Sequence, residues 1–237
     1  RNTLKNTMMG IAVPMSAQPV DDEEREDADN ELEAAMSAQQ YMSNQVLTPL
    51  RGNCEFFYGP DQGKYGVFSN FYQRRNWGNP GNYQFRLTHS TDIDTGPSPV
   101  EFHDEEEYAY SSAEQAIMHI KAILMGDNIV AEKIMQTSNP GEAKKLGRQV
   151  KCFDQGRWDA HVSSIAYAVL YAKFSQNPEL MAVLLCTRYA ILAEAAPRDC
   201  IWGIGRSVAA AKRGAPWRGR NLLGRTLMRV RTAMRLG

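Results

Sequence analysis

Glu114 and Lys121 stand seven residues apart in the stretch Ser111–Lys121. Seven residues are about two helical turns, so on a helix both side chains leave one face at ~10 Å separation along the axis. Ile117 falls between them on much the same side. A carboxyl and an amine flanking an apolar patch suit a cleft that holds a general acid or base and a nucleophile. The plainer alternative is a first-turn acid that balances the helix dipole and a solvated surface lysine.

Three other segments carry polar or aromatic residues in unusual company. In Phe68–Tyr72, FSNFY, Asn70 sits between aromatic residues, where its amide can bond a ligand while Phe71 stacks on a base; ordinary core aromatics are the alternative. In the run EAKKLGRQVKCFDQGRWDAH, Lys144, Lys145 and Arg148 form a basic face, and Trp158 is either a ligand platform or a core anchor. Near the C-terminus, Trp202-Gly203-Ile204-Gly205 reads as a tight turn whose missing side chains let a ligand approach the backbone. Asn221 stands where the last helix begins, either as an N-cap or beside N–H groups suited to a phosphate.

These segments need elements to position them. Residues 1–51 form an acidic tail with the run DDEEREDADNELE, too poor in apolar side chains to offset the entropy of ordering; 52–237 is then one domain. CEFFYG and GVFSNFY read as two strands or strand-loop units, YQFRLTH as a strand inside an irregular insertion over 76–99, and VEFHDEEEYAY as a strand or hairpin. Helices follow. Ser111 or Ser112 caps one that runs to about Met125, with Ala113, Ala116, Ile117, Ile120 and Leu124 inward. Others are expected at about 129–137, from Pro140, at about 157–174, from Pro178, and at about 221–234 with its arginines mostly outward. The fold class is α+β, a predominantly helical single domain with a few short strands near its N-terminal part.

Composition narrows the function classes. The 237 residues carry no net formal charge, but residues 1–50 hold nine acids and three bases. From Arg198 onward there are ten Arg or Lys and one acid, Asp199. Such a basic region favours a phosphate-bearing ligand or nucleic acid. Cys54, Cys152, Cys186 and Cys200 are too scattered for a zinc site, so no metal is expected, and reduced thiols point to a cytoplasmic or nuclear setting. No run reaches the ~18–20 apolar residues that span a bilayer. The sequence says nothing of oligomeric state.

In order, the segments resemble the NADAR/YbiA family. Phe68-Ser69-Asn70-Phe71-Tyr72 is similar to its FSNFY opening, and Ser112 through Glu114 to Lys121 to its S-x-E-x-x-x-x-x-x-K helix. Asn139–Arg148 resembles D-P-x-E-A-K-x-L-G-R, and Lys173–Leu180 resembles K-F-x-Q-N-x-x-L. Asp199 with Trp202-Gly203-Ile204-Gly205, then Asn221-Leu222-Leu223-Gly224, Leu227-Met228 and Val230-Arg231, resembles the closing pattern. The match covers nearly all of residues 54–235. Two departures bear on substrate preference. Gln115-Ala116-Ile117 stands where the family often has an aromatic pair, and the 76–99 insertion is long.

The resemblance implies a YbiA-like fold and hydrolysis of the bond between ribose C1 and an exocyclic amine, without a cofactor. One family branch removes ADP-ribose from guanine in nucleic acid; the other cleaves phosphorylated ribosylaminopyrimidines of riboflavin synthesis. The favoured substrate is ADP-ribosylated guanine in DNA or RNA, the runner-up a phosphorylated ribosylamine, and the third reading a non-catalytic ADP-ribose-binding module. The expected catalytic residues are Glu114, Lys121 and Asp199. Lys121 attacks C1 to give a transient Schiff base, Glu114 moves protons, and Asp199 holds a ribose hydroxyl or assists. A simpler route uses Glu114 to stabilise an oxocarbenium ion or to activate water. Asn70, Phe71, Arg148, Trp158, Trp202, Gly203, Gly205 and Asn221 are the expected substrate-binding residues.

Overall fold

The computed structural model describes residues 53–73, 84–88 and 107–236. The expected acidic tail and most of the irregular insertion lie outside the described residues. The elements run β1 (Cys54–Phe57), a 3-10 turn (Gly63–Phe68), β2 (Phe85–Thr88), β3 (Glu107–Tyr110), α1 (Ala113–Leu124) and α2 (Asn128–Met135). There follow α3 (Pro140–Arg148), α4 (Gln155–Ser175), α5 (Pro178–Cys186), β4 (Ile191–Glu194), α6 (Val208–Lys212) and α7 (Leu222–Leu236). The domain is α+β and mostly helical.

Local chemistry explains the helix starts. The Ser112 hydroxyl accepts from the Gln115 N–H and caps α1, while Asp127 caps α2 through Val130 N–H. Asn139 accepts from Gly141 and Glu142 N–H at the head of α3, with Pro140 in its first turn. Asp154 caps α4 through Arg157 N–H. The 21-residue α4 buries side chains on several faces because α1 packs on it from one side and α7 from another. Ile117, Ile165, Val169, Phe174, Leu223 and Val230 meet in the core, each 0–1% exposed.

Two strand readings change. GVFSNFY is a 3-10 turn and loop, because Gly66 passes so close to the Pro60 carbonyl that a Cβ would collide with it. The strands are also not confined to the N-terminal part. β4 comes late in the chain and pairs in parallel with β1, Cys54 opposite Ile191 and Phe57 opposite Glu194. β2 and β3 form a separate antiparallel pair. The α7 arginines Arg225, Arg229 and Arg235 are exposed as expected, and Arg231 is the exception. Arg231 is buried and donates to Thr187 Oγ1 at 2.7 Å and the Ala190 carbonyl at 2.9 Å, fixing α7 against the turn that leads into β4.

Candidate active site

A cleft of about 810 Å³ opens where the C-terminal ends of β1 and β4 meet α1, α3 and the first turn of α4. The C-terminal ends of parallel strands commonly border ligand crevices, because the chain there turns away into loops. Tyr58, Gly59 and Pro60 line it after β1; Glu194 ends β4, and the wall continues through the loop 196–202.

From α1 the cleft receives Glu114, Met118 and Lys121. The i, i+4, i+7 spacing puts them on one stripe. Ile117, expected between the acid and the amine, is instead turned fully into the core, and Met118 fills that position. Gln115 and Ile117, two of the residues where the family pattern is broken, are not among those lining the cleft. Gln115 bonds the Ile134 and Thr137 carbonyls and so ties α1 to the end of α2.

Glu114 is only 6% exposed, and its backbone N–H donates to the Asn70 carbonyl at 2.9 Å. Burial pushes its carboxyl up to about 7; Lys144 pulls the other way, Asp199 adds to the rise, and Arg148 and Lys121 offset part of it. A carboxyl poised there can both give and take a proton near neutral pH. The Lys121 ammonium lies 4.3 Å from the Phe153 ring centroid and 5.6 Å from that of Trp158. Trp158 belongs to the core cluster and also lines the cleft wall.

Lys144 and Arg148 are four residues apart on α3 and both reach the cleft. The Lys144 ammonium stands 5.6 Å from the Phe71 ring, which lines the cleft with Ser69 and Asn70. Asn70 is 6% exposed, and its Oδ1 is shielded without a hydrogen-bond partner. A buried amide oxygen left open in a cleft is an acceptor waiting for a ligand donor.

The loop after β4 supplies Arg198, Asp199, Cys200 and Trp202. Asp199 Oδ1 accepts from the N–H groups of Ile201, Trp202 and Gly203 at 2.9, 2.7 and 3.3 Å. One oxygen of this carboxylate therefore shapes the loop that presents Trp202. Burial, with Asp199 beside it, raises the Cys200 thiol, which disfavours the thiolate needed for nucleophilic attack.

Three expected ligand contacts are not among the cleft-lining residues: Gly203, Gly205 and Asn221. The glycines answer to packing instead. A Cβ at Gly203 would crowd Ala196 and the Glu194 carbonyl, and Gly205 has φ +61. Asn221, at φ 52, spends its side chain on β4, with Nδ2 donating to the Leu192 carbonyl at 2.8 Å and Oδ1 accepting from Glu194 N–H at 3.1 Å. It ties α7 to the strand rather than opening a phosphate site.

Sequence reading missed two groups, one buried and one half-buried. Lys173 on α4 is wholly buried, and its ammonium donates to the Ser69 carbonyl at 2.9 Å beneath the Asn70 loop. Burial lowers it to about 7. Glu194 lines the cleft, and burial first, then Asp199 and Glu114, raises its carboxyl to about 8. The available signal was a single acid inside the otherwise apolar run ILAEAA.

Comparison with known proteins adds an independent line. The NADAR domain matches residues 56–235. N-glycosidase R617 of Acanthamoeba polyphaga mimivirus is 44% identical over 134 residues, 55% of this chain and 79% of that protein. The chloroplastic riboflavin biosynthesis protein PYRR of Zea mays is 33% identical over 107 residues, 44% of this chain but only 16% of that protein. In three dimensions the NMR structure of the E. coli protein YbiA matches with a TM-score of 0.55 and 23% identity, covering 81% of this chain and 90% of that one, which establishes a shared fold.

Proposed function

The chain belongs to the NADAR family, and from that premise we propose that it is an N-glycosidase that hydrolyses the bond between ribose C1 and an exocyclic amine. The favoured substrate is ADP-ribosylated guanine in DNA or RNA. The observation that carries this reading is the pairing of a buried Glu114, its carboxyl pushed up to about 7, with Lys121 along one face of α1, inside a cleft of nucleotide-binding size. Relatives named as N-glycosidases support the reaction class.

Lys121 supplies the nucleophilic amine that adds to C1 and holds the sugar as a Schiff base after ring opening. Glu114 takes the proton released in that addition and returns it later. The second oxygen of Asp199 accepts from a ribose hydroxyl, and Asn70 Oδ1 takes another donor of the substrate. Lys144, Arg148 and Arg198 face the phosphates, with the guanidinium groups suited to bidentate contact. Phe71 and Trp202 give aromatic faces for a base. The same cations and aromatics also suit a phosphorylated ribosylaminopyrimidine, and the PYRR relative favours that as the second reading.

Incubation with guanine-ADP-ribosylated oligonucleotide tests the proposal. Free ADP-ribose is expected from the wild type, and its loss in Glu114→Ala marks the site. Cleavage of a ribosylaminopyrimidine phosphate alone would transfer the assignment to the second substrate. Tight ADP-ribose binding without turnover of either would make the protein a binding module. Borohydride added during turnover is expected to trap a Lys121 adduct; wild-type activity in Lys121→Ala would exclude the Schiff base.

A further inference from the structure

We propose that Glu194 is a second catalytic carboxyl, which keeps its proton in the free cleft and donates it to the nitrogen that leaves C1. The inference rests on the N-glycosidase reading for its catalytic half and on the geometry for the retained proton.

The backbone of Glu194 is held at both polar groups: its N–H donates to Asn221 Oδ1 at 3.1 Å, and its carbonyl accepts from Ile204 N–H at 2.8 Å. As the last residue of β4 it enters the cleft from a strand, which positions a side chain more firmly than a loop does. Its Oε2 is shielded from solvent and has no hydrogen-bond partner. An ionised carboxylate with a shielded, unbonded oxygen is a poorly compensated charge; a carboxylic acid in the same place is neutral and brings its own donor.

The neighbours point the same way. Glu114 and Lys121 reach the cleft from α1, Lys144 and Arg148 from α3, Arg198, Asp199 and Cys200 from the loop after β4, and Tyr58 after β1. Glu114 and Asp199 both act on Glu194 as like charges, and of the cations only Lys144 opposes them. A carboxyl with a shielded, unbonded oxygen and like charges beside it keeps its proton above the usual carboxylate range.

The step balances. As the C1–N bond breaks, its electron pair stays on the exocyclic nitrogen, which takes the Glu194 proton and leaves as a neutral amine. The Lys121 nitrogen forms the new bond to C1 and gives its proton to the Glu114 carboxylate. Water later adds to C1 and returns a proton to Glu194, while Lys121 leaves with the proton held by Glu114. Both carboxyls end as they began.

Difference infrared spectroscopy of wild type against Glu194→Gln at pH 7 reads the retained proton without substrate. A protonated-carboxyl band lost in the variant is expected; no band, or one indifferent to the substitution, overturns the retained proton. Turnover of the ADP-ribosylated oligonucleotide reads the donor role. Glu194→Gln is expected to lower kcat by about 10²–10⁴-fold with KM little changed, and a substrate with a less basic leaving amine is expected to recover most of that loss. Glu114→Gln is expected to show no such recovery. Wild-type kcat in Glu194→Gln, or an equal loss for every leaving group, overturns the donor role. Should Glu194→Gln fold poorly, Glu194→Ala, which also removes the carboxyl, carries the same comparison. A wild type inert to all ribosylamines overturns the N-glycosidase reading and the donor role together, a failure distinct from an absent infrared band.

Discussion

Asn70 and Lys173 show how one buried side chain prepares another. The Lys173 amine sits under the Ser69 carbonyl, and the next residue, Asn70, lines the cleft with its Oδ1 shielded and unbonded. Removing that acceptor in Asn70→Ala is expected to raise KM by about 10-fold, the worth of a typical ligand hydrogen bond, with thermal stability nearly unchanged. Lys173 has a different signature. Its folded value of about 7 lies below the ordinary 10.5, so across that interval the unfolded chain binds the extra proton and stability climbs with pH. The cost of burying the charge is complete below about 7 and gone above the ordinary value. Lys173→Met lacks the group, so its stability relative to wild type, from urea unfolding, is expected to decline between pH 7 and pH 10. Lys173 stood inside a recognised sequence motif, yet nothing in K-F-x-Q-N tells a buried amine from an exposed one; that depends on α1 and α7 closing over α4.

At the scale of elements, the site is a stripe of α1 set against the ends of two strands, and the two halves were not equally legible. The stripe was readable because helical spacing is a local property: Glu114 and Lys121 do share a face, and Ser112 caps it. Choosing Ile117 over Met118 as the residue between them was the one slip, since both spacings are near-equal on a helix wheel and only packing decides. β4 left no comparable trace. Four residues, ILAE, in an apolar run are too short to separate strand from helix, and the partner β1 lies far upstream in sequence. With β4 unseen, the single acid in that apolar run was passed over, and Asn221 was read as a helix cap or a phosphate-site residue instead of a tie to the strand. Asn221→Ala leaves the Leu192 carbonyl and Glu194 N–H without partners, so a loss of about 2–4 kcal/mol is expected in denaturant unfolding. Gly147 on α3 makes a second prediction. A Cβ there would collide with the Met118 side chain, whose far end is flexible. Gly147→Ala is therefore expected to displace Met118 along the cleft and change KM several-fold at little cost in stability.

Across the whole molecule, the cleft is a place where the fold is held below its stability optimum. Glu114 and Glu194 keep their protons to about 7 and about 8, whereas an unfolded glutamate releases its proton near 4.5. Stability from these groups is fully present below that lower value and is lost as pH rises through the higher ones. Glu194→Gln is expected to melt about 2–6 °C above wild type at pH 9 and to lose that advantage at pH 4.5. Activity and stability then move in opposite directions, as they do where function needs a strained site. The parallel pairing of β1 with β4 has a further consequence for how the protein is made. On the ribosome β1 emerges first, while the strand that completes its ladder follows only after five helices. Until then its backbone edge is open to other strands, the kind of edge that chaperones shield and aggregates recruit. The nascent chain therefore has no cleft to fill, and ligand cannot assist its folding until β4 and α7 have left the exit tunnel.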